Sequence, residues 1–333
     1  QFQQRILPQQ DINGNPLPAT TLWGYCDGNT VGTGSCNNPG FTMEVTRGQT
    51  TTVTWKNELV DAAGGFLPHV ITDALDNPVV DQTLHWAAPN QDCKEGIPRT
   101  DCAGASAAPY TGPTPMVTHV HGAHVGPISD GFPEAWWLPA ALDIPAGYAT
   151  EGTFYDDING GAPGTGAAVY AYNNDQPSTT LWYHDHSLGM TRLNVYAAGA
   201  AFWLIREAGD GESGLLGGAL PGPAPKTGNN PNCSDTADPT CVRDTIREIP
   251  LAIQPKSFNA DGSQYYPADR QFFEGLGDGQ TYALNDGMSS LVTADGKFPF
   301  LPQTTSDIAP VWNPEAFFNT MVVNGNTWPA LDV

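Results

Sequence analysis

The sequence predicts an all-β fold. Its 37 glycines and 30 prolines occupy about a fifth of the 333 residues, a density of turn punctuation that suits short strands joined by many loops rather than a helical bundle. Between those breaks the apolar residues fall in short stretches with a two-residue alternation, the period of a half-buried strand. Hydrophobic residues make up 40% of the chain and aromatics 10%, enough for a substantial core. The length leaves room for one large domain or two.

Taken in order, Phe41–Trp55 (FTMEVTRGQTTTVTW) alternates at Phe41, Met43 and Val45, turns at Arg47-Gly48-Gln49, and alternates again over Thr51–Trp55. That is the pattern of two strands in a hairpin-like pair. Val60–Pro115, long and broken by Pro and Asp, reads as surface decoration. Met116–His121 and Thr179–His184 are short strands that each end in histidine. Val195–Ile205 is mostly apolar, and its β-branched and aromatic ends, with Gly199 inside, favour a strand entering a sandwich core over a short helix. Glu207–Asp244 gathers Gly, Pro, Asn and Asp with few β-branched residues and reads as a linker. Strand patterns resume at Ile246–Gln254, at Ala316–Val323 and from Trp328 onward. The expected organisation is a first β domain over 1–206, a linker over 207–244 and a second β domain over 245–333. The last is short of the roughly 100 residues of a complete β-sandwich, so it is expected to be unfinished at Val333. No repeat of about 20–50 residues is visible, which excludes solenoids and propellers.

Lys and Arg total 13 against 35 Asp and Glu, a net charge of −22. A chain so acidic repels phosphate backbones, which excludes nucleic acid as a partner. The longest apolar stretch, Ala197–Ile205, is too short to cross a bilayer. The six cysteines form three close pairs, Cys26/Cys36, Cys93/Cys102 and Cys233/Cys241, each in a polar stretch. None is a C-x-x-C and none stands beside a histidine, which favours local disulfides over free thiols, zinc sites or redox pairs. Disulfides imply an oxidising compartment. A chain that opens at Gln1 without an apolar leader is expected to be processed and exported, hence secreted or periplasmic.

The chemistry is carried by histidine. Of seven, four form two H-x-H pairs, His119/His121 and His184/His186. In a strand, residues i and i+2 share a face. One such pair can give an imidazole to each of two adjacent metal sites, and two facing pairs supply four ligands to one cluster. Neutral imidazole suits copper, zinc, iron and nickel.

Around the pairs, Thr118–Trp136 reads THVHGAHVGPISDGFPEAW and Leu181–Tyr196 reads LWYHDHSLGMTRLNVY. Together with Leu84-His85-Trp86, Glu248–Gly262 (EIPLAIQPKSFNADG) and Val322–Pro329 (VVNGNTWP), these stretches resemble the multicopper oxidases. Within that family they resemble the branch that includes spore-coat laccase and bilirubin oxidase, and the likeness runs from about Phe41 onward. The resemblance implies cupredoxin-like Greek-key β-sandwich domains and a trinuclear copper cluster that reduces O2 to water. Residue by residue, it implies His119 on the type 2 copper, His121 and His184 on one type 3 copper, and His186 on the other. Gly122 would let the backbone turn closely past the cluster. Asp130 falls where the family has an acidic residue that assists proton delivery, and is the expected catalytic residue. Of the other histidines, His124 is expected behind the ligands or on the surface, His85 packed and His69 exposed. Trp182 and Tyr183 are expected in the aromatic core. Asp185, between two ligands, faces away by strand alternation, either orienting a ligand or lying in solvent.

The sequence departs from the family in one respect. Neither the H-P-x-H-x-H motif nor the H-C-H motif, which supply the other trinuclear ligands and the type 1 copper, occurs in it. The expectation is therefore the N-terminal chain of a secreted, laccase-like multicopper oxidase, holding half of the trinuclear ligands. It would act only with a second polypeptide, a cleaved C-terminal half or a separate subunit, that completes the second domain and carries a third with the type 1 copper. O2 and a small phenolic, pigment or metal-ion reductant are the implied substrates. The alternative is a non-catalytic copper-binding cupredoxin protein for copper storage or delivery.

Overall fold

The computed structural model describes residues 1–28, 36–72, 76–82, 85–90, 109–158, 166–206, 250–259, 261–266, 318 and 320–327. Their regular structure is nearly all strand: β1 (Phe2–Gln4), β2 (Thr20–Leu22), β3 (Met43–Thr46), β4 (Thr51–Lys56), β5 (Thr118–His121), β6 (Ala167–Tyr172), β7 (Thr179–Asp185), β8 (Ala200–Arg206), β9 (Ile253–Phe258), β10 (Gln264–Tyr265), β11 (Thr320–Val323) and β12 (Asn326–Thr327). The helical pieces are a 3-10 turn at Pro127–Ser129 and two short helices, α1 (Tyr155–Ile158) and α2 (Thr191–Tyr196). The all-β expectation holds.

The strands that matter for function form a four-stranded sheet in the order β3-β8-β7-β5. β3 runs parallel to β8, while β8–β7 and β7–β5 are antiparallel. Strands β4 and β6 pair separately. Alternation in β6 buries Ala168, Tyr170 and Tyr172, and these pack with Trp55 of β4 against Val120, Tyr183, Trp203 and Ile205 of the larger sheet. This is the two-layer core of a sandwich. Two of its polar ring atoms find partners inside, Trp55 Nε1 donating to Tyr172 Oη at 3.0 Å and Trp203 Nε1 to Asn174 Oδ1 at 3.2 Å. As an interior strand, β8 is buried along nearly its whole length.

Phe41–Trp55 is not a hairpin. β3 joins β8 and β4 joins β6, so the turn at Arg47–Gln49 carries the chain from one sheet to the other. Both strands have one apolar face, and both satisfy it against the shared core rather than against each other. Val195–Ile205 is likewise divided. Its start belongs to α2, the chain turns at Ala198 and Gly199, and only Ala200 onward is strand. The Val60–Pro115 excursion is more than decoration. Ile71, Val80, Trp86, Ala88 and Tyr110 from it are buried with Met190, Leu193, Tyr196 and Ala197 of and around α2, forming a second core.

A second sheet has the order β10-β9-β11-β12. Its strand β9 begins at Ile253; of the Ile246–Gln254 pattern, 246–249 lie outside the described residues and Pro250–Ala252 are not strand. It packs on the first unit through Ile6, Leu22, Ala198 and Val322. Polar clips reinforce the contact: Thr20 Oγ1 donates to Gly262 O at 2.9 Å, and the Tyr196 hydroxyl to Tyr265 O at 2.7 Å. Cys26 and Cys36 form a disulfide. The other two cysteine pairs, the 207–244 linker and the strand from Trp328 lie outside the described residues.

Candidate metal centre

β5 reads Thr-His-Val-His. Alternation sends Thr118 and Val120 into the core and leaves His119 and His121 on the opposite face. Across the antiparallel register His119 faces His184 directly, and His121 faces Trp182. Directly paired residues share a face, so both strands present their rings to one side. His186 lies just beyond β7, where its amide donates to Val117 O at 2.8 Å and extends the pairing by one bond. The result is a compact set. His119 stacks on His186 with centroids 4.7 Å apart, and His119–His184, His121–His184 and His184–His186 lie 5.5, 5.5 and 5.7 Å apart. One ligand atom from each of His119, His121 and His184 can be chosen so that all three lie within 4.8 Å of one another.

Three rings are oriented by backbone carbonyls. His119 Nδ1 meets Asp130 O, His186 Nδ1 meets Gly131 O at 2.9 Å, and His184 Nδ1 meets Asp185 O at 2.7 Å. A carbonyl only accepts, so Nδ1 carries the proton in each, and Nε2 is left unprotonated as an acceptor. The fourth ring turns Nδ1 toward His184 Nε2, at 3.2 Å. Burial pushes the His184 imidazole down to about 4, assisted by the neighbouring histidines, and it also lowers His186. These two rings are therefore uncharged at neutral pH, the state that ligates a metal. Convergent imidazoles with unprotonated Nε2 atoms fit a borderline-soft transition ion such as copper.

The turn that supplies two of these carbonyls is itself fixed. Ser129 Oγ accepts the Ala171 amide at 2.9 Å, tying the 3-10 turn to β6. Gly131 has φ +79, and a Cβ there would stand 2.2 Å from Thr118 O, so no other residue fits against β5. Gly122, with φ +84, turns the chain away after His121.

Over 317 residues the chain is 27% identical to a laccase of Bacillus subtilis (strain 168) and 26% identical to multicopper oxidase LPR1 of Arabidopsis thaliana. Both alignments cover 95% of this chain, but only 40% and 35% of the relatives. The chain is similar in sequence to laccases and multicopper oxidases. It spans about 40% or less of the length of these curated relatives. No protein-family model matches it. Among solved structures, a multi-copper oxidase from Pediococcus acidilactici aligns with 77% of this chain and 30% of its own, at 19% identity and a TM-score of 0.37.

The residues singled out from sequence fall as follows. His119, His121, His184 and His186 come together. Asp130 stands beside them, its half-exposed carboxylate Oδ1 3.3 Å from His119 Nδ1. His124 is exposed and pairs with Asp175 at 2.8 Å. His85 is exposed rather than packed, since Trp86 alone turns into the core. His69 is buried rather than exposed: Nδ1 accepts the Ile71 amide, Nε2 donates to Asn194 Oδ1, and burial lowers its pKa to about 3. Tyr183 is in the core as expected. Trp182 is not: it is 39% exposed and stacks on His184 at 4.3 Å and on His121 at 5.1 Å. Being opposite His121 in the register, it belongs to the histidine face. Asp185 is buried, not in solvent. Sequence reasoning missed Gly131 and Asn194; Gly131 within SDG, next to the predicted Asp130, was the available signal.

Proposed function

We propose that this chain is the part of an exported, laccase-like multicopper oxidase that supplies half of the ligands to a trinuclear copper site. The supporting observation is the convergence of two strand-borne histidine pairs with three Nδ1 atoms anchored on carbonyls. In this reading His119, His121, His184 and His186 offer imidazole nitrogens to copper, and polypeptide beyond these residues, in a longer chain or a second subunit, supplies the rest together with the type 1 site. Residues 1–206 form the unit that carries the site, and 245–333 begin a second one. Copper held there would supply one-electron redox chemistry for the reduction of O2, with four electrons and four protons, to two waters, the electrons of a small phenolic, pigment or metal-ion reductant entering through the type 1 site. The chain's own part is to hold the rings neutral and aimed, and to bring protons. Asp130, half in solvent and 3.3 Å from His119, is suited to carry them, because a carboxyl group at that distance exchanges protons faster than an unassisted site.

Copper content of the native protein tests this. Replacing His119 or His186 with Ala lowers the copper content and stops O2 consumption while the fold survives; unchanged content and turnover in both contradict the reading. Asp130→Asn keeps copper and slows turnover; parent-like rates across acid and neutral pH reduce Asp130 to a turn residue.

A further inference from the structure

Asp185 makes more contacts than a residue between two metal ligands requires. Its side chain is on the face opposite the rings, 3% exposed, and it is surrounded by donors. Oδ1 accepts the Ser187 amide at 3.0 Å and Asn194 Nδ2 at 2.9 Å. Oδ2 accepts the Val117 amide at 3.1 Å and the Ser187 hydroxyl at 3.0 Å. These donors come from three places. Val117 is the residue from which β5 runs into Thr118-His119. Ser187 follows His186. Asn194 lies in the middle of α2.

The connection continues behind the carboxylate. Asn194 Nδ2 also donates to Pro115 O at 3.1 Å, and its Oδ1 accepts from His69 Nε2 at 3.2 Å. The Ile71 amide donates to His69 Nδ1, which leaves Nε2 as the donor. The Asn194 amide is thereby fixed in one orientation, with its NH2 toward Asp185. Val117 is held at both ends, its amide by Asp185 and its carbonyl by the amide of His186.

We propose that Asp185 is the positioning residue that locks the two histidine pairs into one set, its carboxylate clamping the start of β5 to the turn after His186. The inference rests on the reading of these histidines as copper ligands and adds a specific role to it. The rings face the ion, and Asp185 sets the relative position of the backbones that carry them. An acceptor-only group is needed, because every neighbour within reach is a donor. Asn at 185 would turn an NH2 against the Val117 amide and Ser187, or against Asn194 and the Ser187 amide. Groups that orient metal ligands from behind typically change metal affinity by about 10–100-fold when removed.

The test is titration of the metal-depleted protein with Cu2+, followed by electron paramagnetic resonance. Five proteins are compared: the parent, Asp185→Asn, Asn194→Ala, His119→Ala and Thr20→Val. The last removes a buried hydrogen bond, Thr20 to Gly262, remote from the site. Asp185→Asn is expected to bind Cu2+ about 10–100-fold more weakly with an altered nitrogen hyperfine pattern. Asn194→Ala, which leaves the carboxylate in place, shifts the same two readouts less and serves if Asp185→Asn does not fold. Thr20→Val lowers the melting temperature without moving either. Parent-like affinity and spectrum in folded Asp185→Asn, or in Asn194→Ala where Asp185→Asn does not fold, overturn the clamp alone. Equal weakening in Thr20→Val does so too, by reducing the effect to general stability. A parent whose Cu2+ binding is untouched by His119→Ala overturns the ligand reading and the clamp with it.

Discussion

Strands β5 and β7 carry the same H-x-H motif side by side, yet β5 is the edge of its sheet and β7 an interior strand. His121 is exposed and His119 half-buried, whereas His184 is buried. The residues between the paired histidines differ too. Val120 enters the apolar core, while Asp185 sits in a closed set of hydrogen bonds. The β5 rings depend on what lies beside the strand, namely the carbonyl of Asp130 and the Nε2 of His184. Of the other pair, His184 is held by the carbonyl of Asp185 on its own strand and His186 by that of Gly131, with α2 behind Asp185 through Asn194. One spacing thus yields a solvent-facing half and a built-in half of the same site.

The largest expected effect removes support common to both halves. Gly131→Ala places a methyl group against Thr118 O at a positive φ and should destabilise the protein by about 3 kcal/mol or more. It also shifts the carbonyls that hold His119 and His186. Denaturant unfolding together with copper content measures both effects. Next, the metal-free proteins His184→Ala and His121→Ala should separate the halves, with a loss of about 2 kcal/mol for the buried ring and under about 0.5 kcal/mol for the exposed one. Equal losses would erase the distinction.

Acid should weaken the built-in half. His69 has its pKa lowered to about 3 by burial, against about 6.5 in an unfolded chain. The folded state therefore excludes a proton that the unfolded state accepts. The stability is complete above about 6.5 and falls by up to about 1.4 kcal/mol per pH unit on going down toward 3. Compared with His69→Gln, which does not titrate, the metal-free parent should lose ground only in that window. Asp185, raised to about 6 by burial, pulls in the opposite direction but is present in both proteins and cancels in the difference. The smallest effect belongs to Trp182→Leu. It removes ring stacking on His121 and His184 at a partly exposed position, and should cost under about 0.5 kcal/mol while weakening Cu2+ binding only a few-fold.

The strand class and the shared face within each histidine pair were legible because both follow from a two-residue period. Phe41, Met43 and Val45, or His119 and His121, take sides by parity alone. Which strand pairs with which does not follow from parity, and so β3 and β4 looked like a hairpin although each has its partner more than a hundred residues away. Burial of isolated histidines was equally hidden. His69 and His85 both lie in the same Pro- and Asp-broken excursion, and only the packing of that excursion against α2 decides that the first is enclosed and the second is not. The role of Asp185 depends on Val117 and Asn194, one just before β5, far away in sequence, and one from a helix that the sequence reading took to be partly strand.

The most direct test of the central claim is a crystal of the copper-loaded protein with anomalous data at the copper edge. The account predicts anomalous peaks within bonding distance of Nε2 of His119, His184 and His186, and of a ring nitrogen of His121, with Nδ1 of the first three still on the carbonyls of Asp130, Asp185 and Gly131. Copper found elsewhere, or these rings turned away from it, would contradict the account.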